Sequence, residues 1–143
     1  MATFMKYIDL VSRSASVYRD DTLAGCGISG CQSKYILQVC KFPGQTQEEM
    51  ARVLFVNKSN VARQVAGLVK EGFIERRQSE DDKRVFLLYP TEKALGCIDE
   101  VKAAHARWRE LVTEGMSEEE KAQLSALMEK LVENAERYME NRE

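Results

Sequence analysis

Between Asn57 and Lys70 the chain reads NKSNVARQVAGLVK, a stretch with Lys58, Ser59, Asn60, Arg63, Gln64 and Lys70 but no acid. These side chains are rich in hydrogen-bond donors. In a DNA major groove, Arg can bridge the two acceptors of guanine, and Asn or Gln can pair bidentately with adenine. Val61, Val65, Leu68 and Val69 recur at i, i+4, i+7 and i+8, which predicts a helix with one core-facing stripe. The polar residues then fall on the outer face, where the small Ala62 and Ala66 permit close approach. The chemistry that fits is hydrogen bonding to base edges. Taken alone, the stretch is equally well an amphipathic surface helix with a mixed polar face.

The elements around it narrow the reading. Thr46 with Glu49 three residues on is a capping box, which predicts a preceding helix whose apolar face is Met50, Ala51 and Leu54. A turn through Phe55 and Val56 leads to Asn57, a favourable N-cap for the second helix. In a helix-turn-helix the N-terminal residues of the second helix read bases, here Ser59, Asn60, Arg63 and Gln64. Gly72 suits a helix C-terminus, and Phe73-Ile74 opens a strand. Arg76, Arg77 and Gln78 lead into a polar tip, Ser79 to Lys83, and a return strand runs from Arg84 to Tyr89 until Pro90 ends it. Two angled helices followed by a hairpin with a basic stem form a winged helix. A wing can lie along the phosphates or push an Arg into the minor groove.

With these residues in view, the chain resembles the MarR (multiple-antibiotic-resistance regulator) family. The matching stretches are Gln47 to Ala51, Asn57 to Arg63, Leu68 to Arg76, and the wing's Asp82-Lys83-Arg84. Two positions depart from the family pattern: Pro90 precedes Thr91, and Ala94 stands where the family commonly has Gly. The resemblance implies a mainly α (α+β) fold and a single domain over 1–143. Within it, residues 31–90 form a winged helix-turn-helix DNA-binding lobe, and residues 1–24 with 91–143 form a helical dimerisation lobe. It also implies that Arg84 reaches the minor groove while Asp82 steadies it. The expected DNA-binding set is Lys58, Ser59, Asn60, Arg63, Gln64, Arg76, Asp82, Lys83 and Arg84. Family members often bind a small aromatic anion between the dimer helices and the DNA-binding lobe, which brings in Tyr7, Tyr35 and Trp108. Some sense oxidants through a thiol near the N-terminal helices, and Cys26 and Cys31 are placed for that.

The remaining chain frames this centre. The 143 residues carry a formal charge of −2, unevenly distributed: residues 91–143 hold 13 acids against 8 bases, whereas 46–84 hold 7 against 8. Acid is therefore concentrated away from the expected DNA face. From Thr3 to Leu23 the residues Phe4, Ile8, Val11, Ala15 and Tyr18 predict an amphipathic helix. A loop follows, with Ser29 as N-cap for a helix from Cys31 to about Phe42 that turns Tyr35, Ile36, Val39 and Cys40 inward. Beyond the wing, Thr91 caps a helix to about Glu114, and Ser117 with Glu120 opens another along Leu124, Leu127, Met128, Leu131 and Val132. One chain offers no obvious place to bury all these stripes, so a two-fold dimer is expected. Its two recognition helices would meet successive major grooves about 34 Å apart, on a short inverted repeat.

Other chemistries find less support. The four cysteines and single histidine fit no usual zinc spacing, and no Gly-rich phosphate loop or nucleophile elbow is present. A Cys31–His105 catalytic pair is the residual enzymatic reading. Helix N-termini favour the reactive thiolate, which singles out Cys31 over Cys26 as a sensor, while Cys40 and Cys97 fall on core-like stripes. No apolar run spans a membrane and no signal-peptide pattern occurs, so a cytoplasmic protein without cofactor is expected. The sequence thus points to a homodimeric regulator of transcription, a repressor released by a small aromatic ligand or thiol oxidation. The alternative is a winged-helix protein–protein interaction module that does not bind DNA.

Overall fold

The computed structural model describes residues 3–142; positions 1, 2 and 143 of the expected domain lie outside the described residues. In order, the elements are α1 (Thr3–Leu23), a single 3-10 turn (Ala24–Cys26), α2 (Gly30–Lys41), α3 (Gln47–Leu54) and α4 (Lys58–Lys70). They continue with β1 (Ile74–Gln78), β2 (Phe86–Pro90), α5 (Glu92–Val112) and α6 (Glu118–Glu140). By contact the chain forms two compact units, Met1–Trp108 and Arg109–Glu143. Helix α1 therefore belongs with the winged helix in the first unit.

Side-chain caps set the helix starts. Thr46 accepts from Glu49 N–H while the Glu49 carboxylate accepts from Thr46 N–H, the expected capping box. Ser29 and Gln32 form a second box at α2, and Asn57 caps α4. Each such cap is worth roughly 1 kcal/mol. Ile36 and Val39 of α2, Met50 of α3, Val61, Val65 and Leu68 of α4, Phe73, Leu88 of β2 and Val101 of α5 make one buried cluster. Helix α4 closes at Gly72, whose φ of 84° is open to glycine at no steric cost, and Phe73 N–H returns to Leu68 O at 2.8 Å.

The wing is an antiparallel pair running from Ile74 opposite Pro90 to Gln78 opposite Phe86. It is shorter than expected, because Arg84 and Val85 form part of the tip. Val85 N–H turns back to Asp82 O at 3.0 Å. Pro90 is the last strand residue, an end position where its missing N–H leaves no gap in the ladder. At its other edge β2 is tied to the α2–α3 connection: Gly44 N–H donates to Leu88 O at 2.7 Å and Leu88 N–H to Gln45 O at 2.8 Å. The departures at Pro90 and Ala94 leave a firm start to α5. Thr91 O–H donates to Gly72 O at 2.6 Å, its oxygen accepts from Ala94 N–H, and Ala94 is fully buried.

In the second unit α6 opens on the Ser117–Glu120 capping box and buries none of its own residues. Leu124, Leu127, Met128, Leu131, Val132, Tyr138 and Met139 all stay exposed. In the first unit α1 likewise exposes Phe4, Met5, Tyr7, Leu10, Val11 and Val17. Apolar stripes of this extent mark interaction surfaces.

Two positions generate stability predictions. Gly30 lies against α1, where a Cβ would meet the Ser16 carbonyl oxygen inside van der Waals contact. Because that obstacle is backbone, Gly30→Ala should cost about 1–3 kcal/mol, read as a lower Tm. Tyr35 is 1% exposed, and its hydroxyl has no hydrogen-bond partner among the described residues. An unsatisfied buried hydroxyl is a penalty, so Tyr35→Phe should raise stability by about 1 kcal/mol in denaturant titrations.

Candidate nucleic-acid interface

With Val61, Val65 and Leu68 buried, α4 turns Lys58, Ser59 and Arg63 to solvent and leaves Asn60 and Gln64 half-exposed. The first turn is braced internally. Asn57 Oδ1 accepts from Asn60 N–H at 2.7 Å and from Ser59 O–H at 2.9 Å. Arg63 Nη2 donates to Asn60 Oδ1 at 3.1 Å, so two of the expected base-reading side chains are held beside one another. Lys58 Nζ pairs with Glu48 of α3 at 3.1 Å. That partner lies ten residues earlier, beyond any local periodicity, and sequence reasoning missed it.

The wing repeats the pattern. Asp82 accepts from Arg84 Nε and Nη2, both at 3.1 Å, and from Arg84 N–H at 3.0 Å. The guanidinium beside it holds the Asp82 carboxyl below its usual range, and the Arg84 side chain remains 91% exposed. An exposed pair of this kind adds at most about 1 kcal/mol of stability. What it supplies is direction, since a two-point clamp fixes the plane of the Arg. Arg77, by contrast, is committed locally to Glu75 at 3.2 Å and to the Tyr89 ring at 4.1 Å. Arg76 and Lys83 are exposed, and the Lys83 carbonyl is gripped by Gln78 Nε2 at 2.6 Å, which pins the tip.

The expected sensing residues lie in different surroundings. Tyr7 is 62% exposed on α1, Tyr35 is in the core, and Trp108 packs on Tyr18 with ring centroids 5.5 Å apart. A cavity of about 660 Å³ lies between α2, α3 and α5. Leu37, Leu54, Leu95 and Ile98 wall it, with Cys40, Lys34, Lys41, Lys102 and His105 around them. Cys40, read from sequence as core filler, therefore has access to a cavity. His105 Nε2 meets Ser33 Oγ at 2.9 Å, and because Ser33 O–H goes to Gly30 O, the serine oxygen accepts from the imidazole. Cys31 is exposed in the first turn of α2 with Ser16 Oγ 3.6 Å away, while the imidazole of His105 is engaged by Ser33.

Cys26 has a different environment. Its thiol donates to Glu100 Oε2 at 2.9 Å, and burial with that carboxylate and Cys97 nearby pushes its pKa up to about 12. It is held as a neutral thiol, the opposite of what a reactive sensor needs. Among the described residues no group of three or more His, Cys, Asp or Glu is arranged to hold a metal ion.

Comparison with known proteins agrees with this geometry. A profile of the MarR family matches residues 34–86, which run from α2 to the return strand of the wing. The chain is 31% identical to the HTH-type transcriptional regulator BilQ of Clostridium symbiosum, over 96% of this chain and 95% of that protein. The crystal structure of the transcriptional regulator SlyA superposes with a TM-score of 0.93 at 23% identity, covering 98% of this chain and 99% of that one. A Listeria monocytogenes regulator crystallised with a 26mer DNA superposes with a TM-score of 0.85 at 22% identity, covering 91% and 87%. The winged helix, the family profile and the match to BilQ over nearly the full length of both chains agree: this chain belongs to the MarR family of transcriptional regulators.

Proposed function

We propose that the protein acts in the cytoplasm as a homodimeric, sequence-specific DNA-binding regulator, a repressor released by a small aromatic ligand or by thiol oxidation. The observation that carries the DNA-binding reading is the acid-free outer face of α4, with Arg63 braced by Asn60. The clamped Arg84 on the wing supports it. Ser59, Asn60, Arg63 and Gln64 serve the major groove, while Lys58, Arg76, Lys83 and Arg84 serve phosphates and the minor groove. The interaction-module alternative would draw on the three carboxylates of the wing tip, Glu80, Asp81 and Asp82, of which Asp82 is paired with Arg84.

Dimerisation is supported by the apolar faces of α1 and α6, which stay exposed among the described residues. Two-fold pairing buries both and presents two α4 helices to one inverted repeat. The cavity between α2, α3 and α5 has the size and apolar walls of a small-molecule site, and its lysines suit an anionic aromatic ligand. For oxidation, Cys31 at the exposed start of α2 is the better-placed thiol.

Binding measurements on an inverted-repeat duplex test the assignments residue by residue. Arg63→Ala should weaken specific binding by ~1–3 kcal/mol and relax base preference at one position of each half-site. Arg84→Ala should reduce the slope of log affinity against log salt by about 1 per wing. Equal affinity and equal slope in both variants would return the interaction module to first place. Separately, Leu127→Glu with Leu131→Glu on α6 should convert a species of twice the chain mass, measured by light scattering, into monomer.

A further inference from the structure

Phe55 stands out on two independent counts. It links α3 to α4 in the left-handed backbone region, with φ 54° and ψ 42°, and is the one described non-glycine residue with positive φ. A bulky aromatic is a poor choice there, since its Cβ is crowded where glycine would be free. The residue is also 66% exposed, more than any other large apolar residue among those described. The local hydrogen bonds do not depend on the ring. Phe55 N–H goes to Arg52 O and Val56 N–H to Ala51 O at 3.0 Å, bonds that any residue in this conformation would make. The neighbouring Val56 packs on the core while Phe55 does not.

The position of the ring indicates what it meets. Phe55 lies two residues before Asn57, the N-cap of α4, so it leaves the chain at the end of α4 that carries Ser59, Asn60 and Arg63. Along the chain it is flanked by two exposed cations, Arg52 in the last turn of α3 and Lys58, the latter paired with Glu48. An exposed apolar side chain flanked along the chain by cations matches a surface that is apolar and anionic together. DNA offers that surface where deoxyribose and the thymine 5-methyl group adjoin phosphates. The exposed residues of α1 and α6 belong to long stripes on single helices, whereas Phe55 sits in a turn.

We propose that the Phe55 ring is a DNA-contacting residue that packs on deoxyribose and thymine methyl at the edge of each half-site, beside phosphates held by Arg52 and Lys58. This rests on the reading of α4 as the base-reading helix. Retaining a strained, exposed aromatic is then explained by what it contributes on DNA, as strain at functional sites commonly is.

The test uses the full-length protein and a duplex enriched by the wild type from a randomised library, with Tm and Kd measured on the same samples. Phe55→Gly should raise Tm by relieving the left-handed backbone, yet weaken binding to that duplex about tenfold. Phe55→Asn tolerates the same turn without glycine's flexibility and should lose as much affinity, whereas Phe55→Tyr should keep it. If Phe55→Gly and Phe55→Asn both bind within about twofold of wild type, the ring has no role on DNA and the proposal is wrong. A change in oligomeric state with unchanged affinity per dimer would mean that the ring covers a protein contact, and would overturn it equally. Arg63→Ala on the same duplex separates the two levels. If it weakens binding while the Phe55 variants do not, only the inference about Phe55 fails; if it too leaves affinity unchanged, the reading of α4 fails with it.

Discussion

Burial of one stripe of α4 governs what its other stripe is free to do. Val61, Val65 and Leu68 are wholly buried, and full burial of each such side chain is worth roughly 1.5–3 kcal/mol. That gain fixes the rotation of the helix, because a turn about its axis would expose three large apolar groups to present one more polar one. The outer face can therefore carry donors that contribute almost nothing to stability. The exposed pairs Lys58–Glu48 and Arg84–Asp82 belong to the same economy: weak as sources of folding energy, they restrict where long cationic side chains point.

The remaining elements hold that helix at both ends. Asn57 satisfies the first turn, and Gly72 lets the chain reverse into β1. Thr91 then binds Gly72 O, so the end of α4 and the start of α5 share one hydroxyl. The wing is anchored from the opposite side by the Gly44 and Gln45 backbone on Leu88. Helix α4, the wing and α5 are thus coupled through short backbone contacts. The cavity between α2, α3 and α5 is thus bounded by elements joined directly to α4.

Local chemistry was legible in the sequence, and long-range chemistry was not. The capping boxes at Thr46 and Ser117, the Asn57 cap and the stripe of α4 depend on residues within one or two turns, and all appear where spacing places them. Strand limits were less accurate, because Arg84 and Val85 have strand-like character but the Asp82 carboxylate and carbonyl draw them into the tip. Pairings across the fold had no sequence signal at all: Glu48 with Lys58, Glu100 with Cys26, and Ser33 with His105. The grouping of Tyr7, Tyr35 and Trp108 came from the family resemblance and residue type, and the fold places the three in different surroundings. The left-handed turn at Phe55 was hidden for a related reason, since an aromatic at that position gives no hint of positive φ.

The most direct test of the central claim, that the outer face of α4 reads DNA in a two-fold dimer, is selection by the purified protein from a randomised duplex library at moderate salt. The account predicts enrichment of an inverted repeat whose half-site centres lie about 10 bp apart, with both half-sites lost when the α4 face is altered. Recovery of no common sequence, or of a single asymmetric site bound by a monomer, would contradict it.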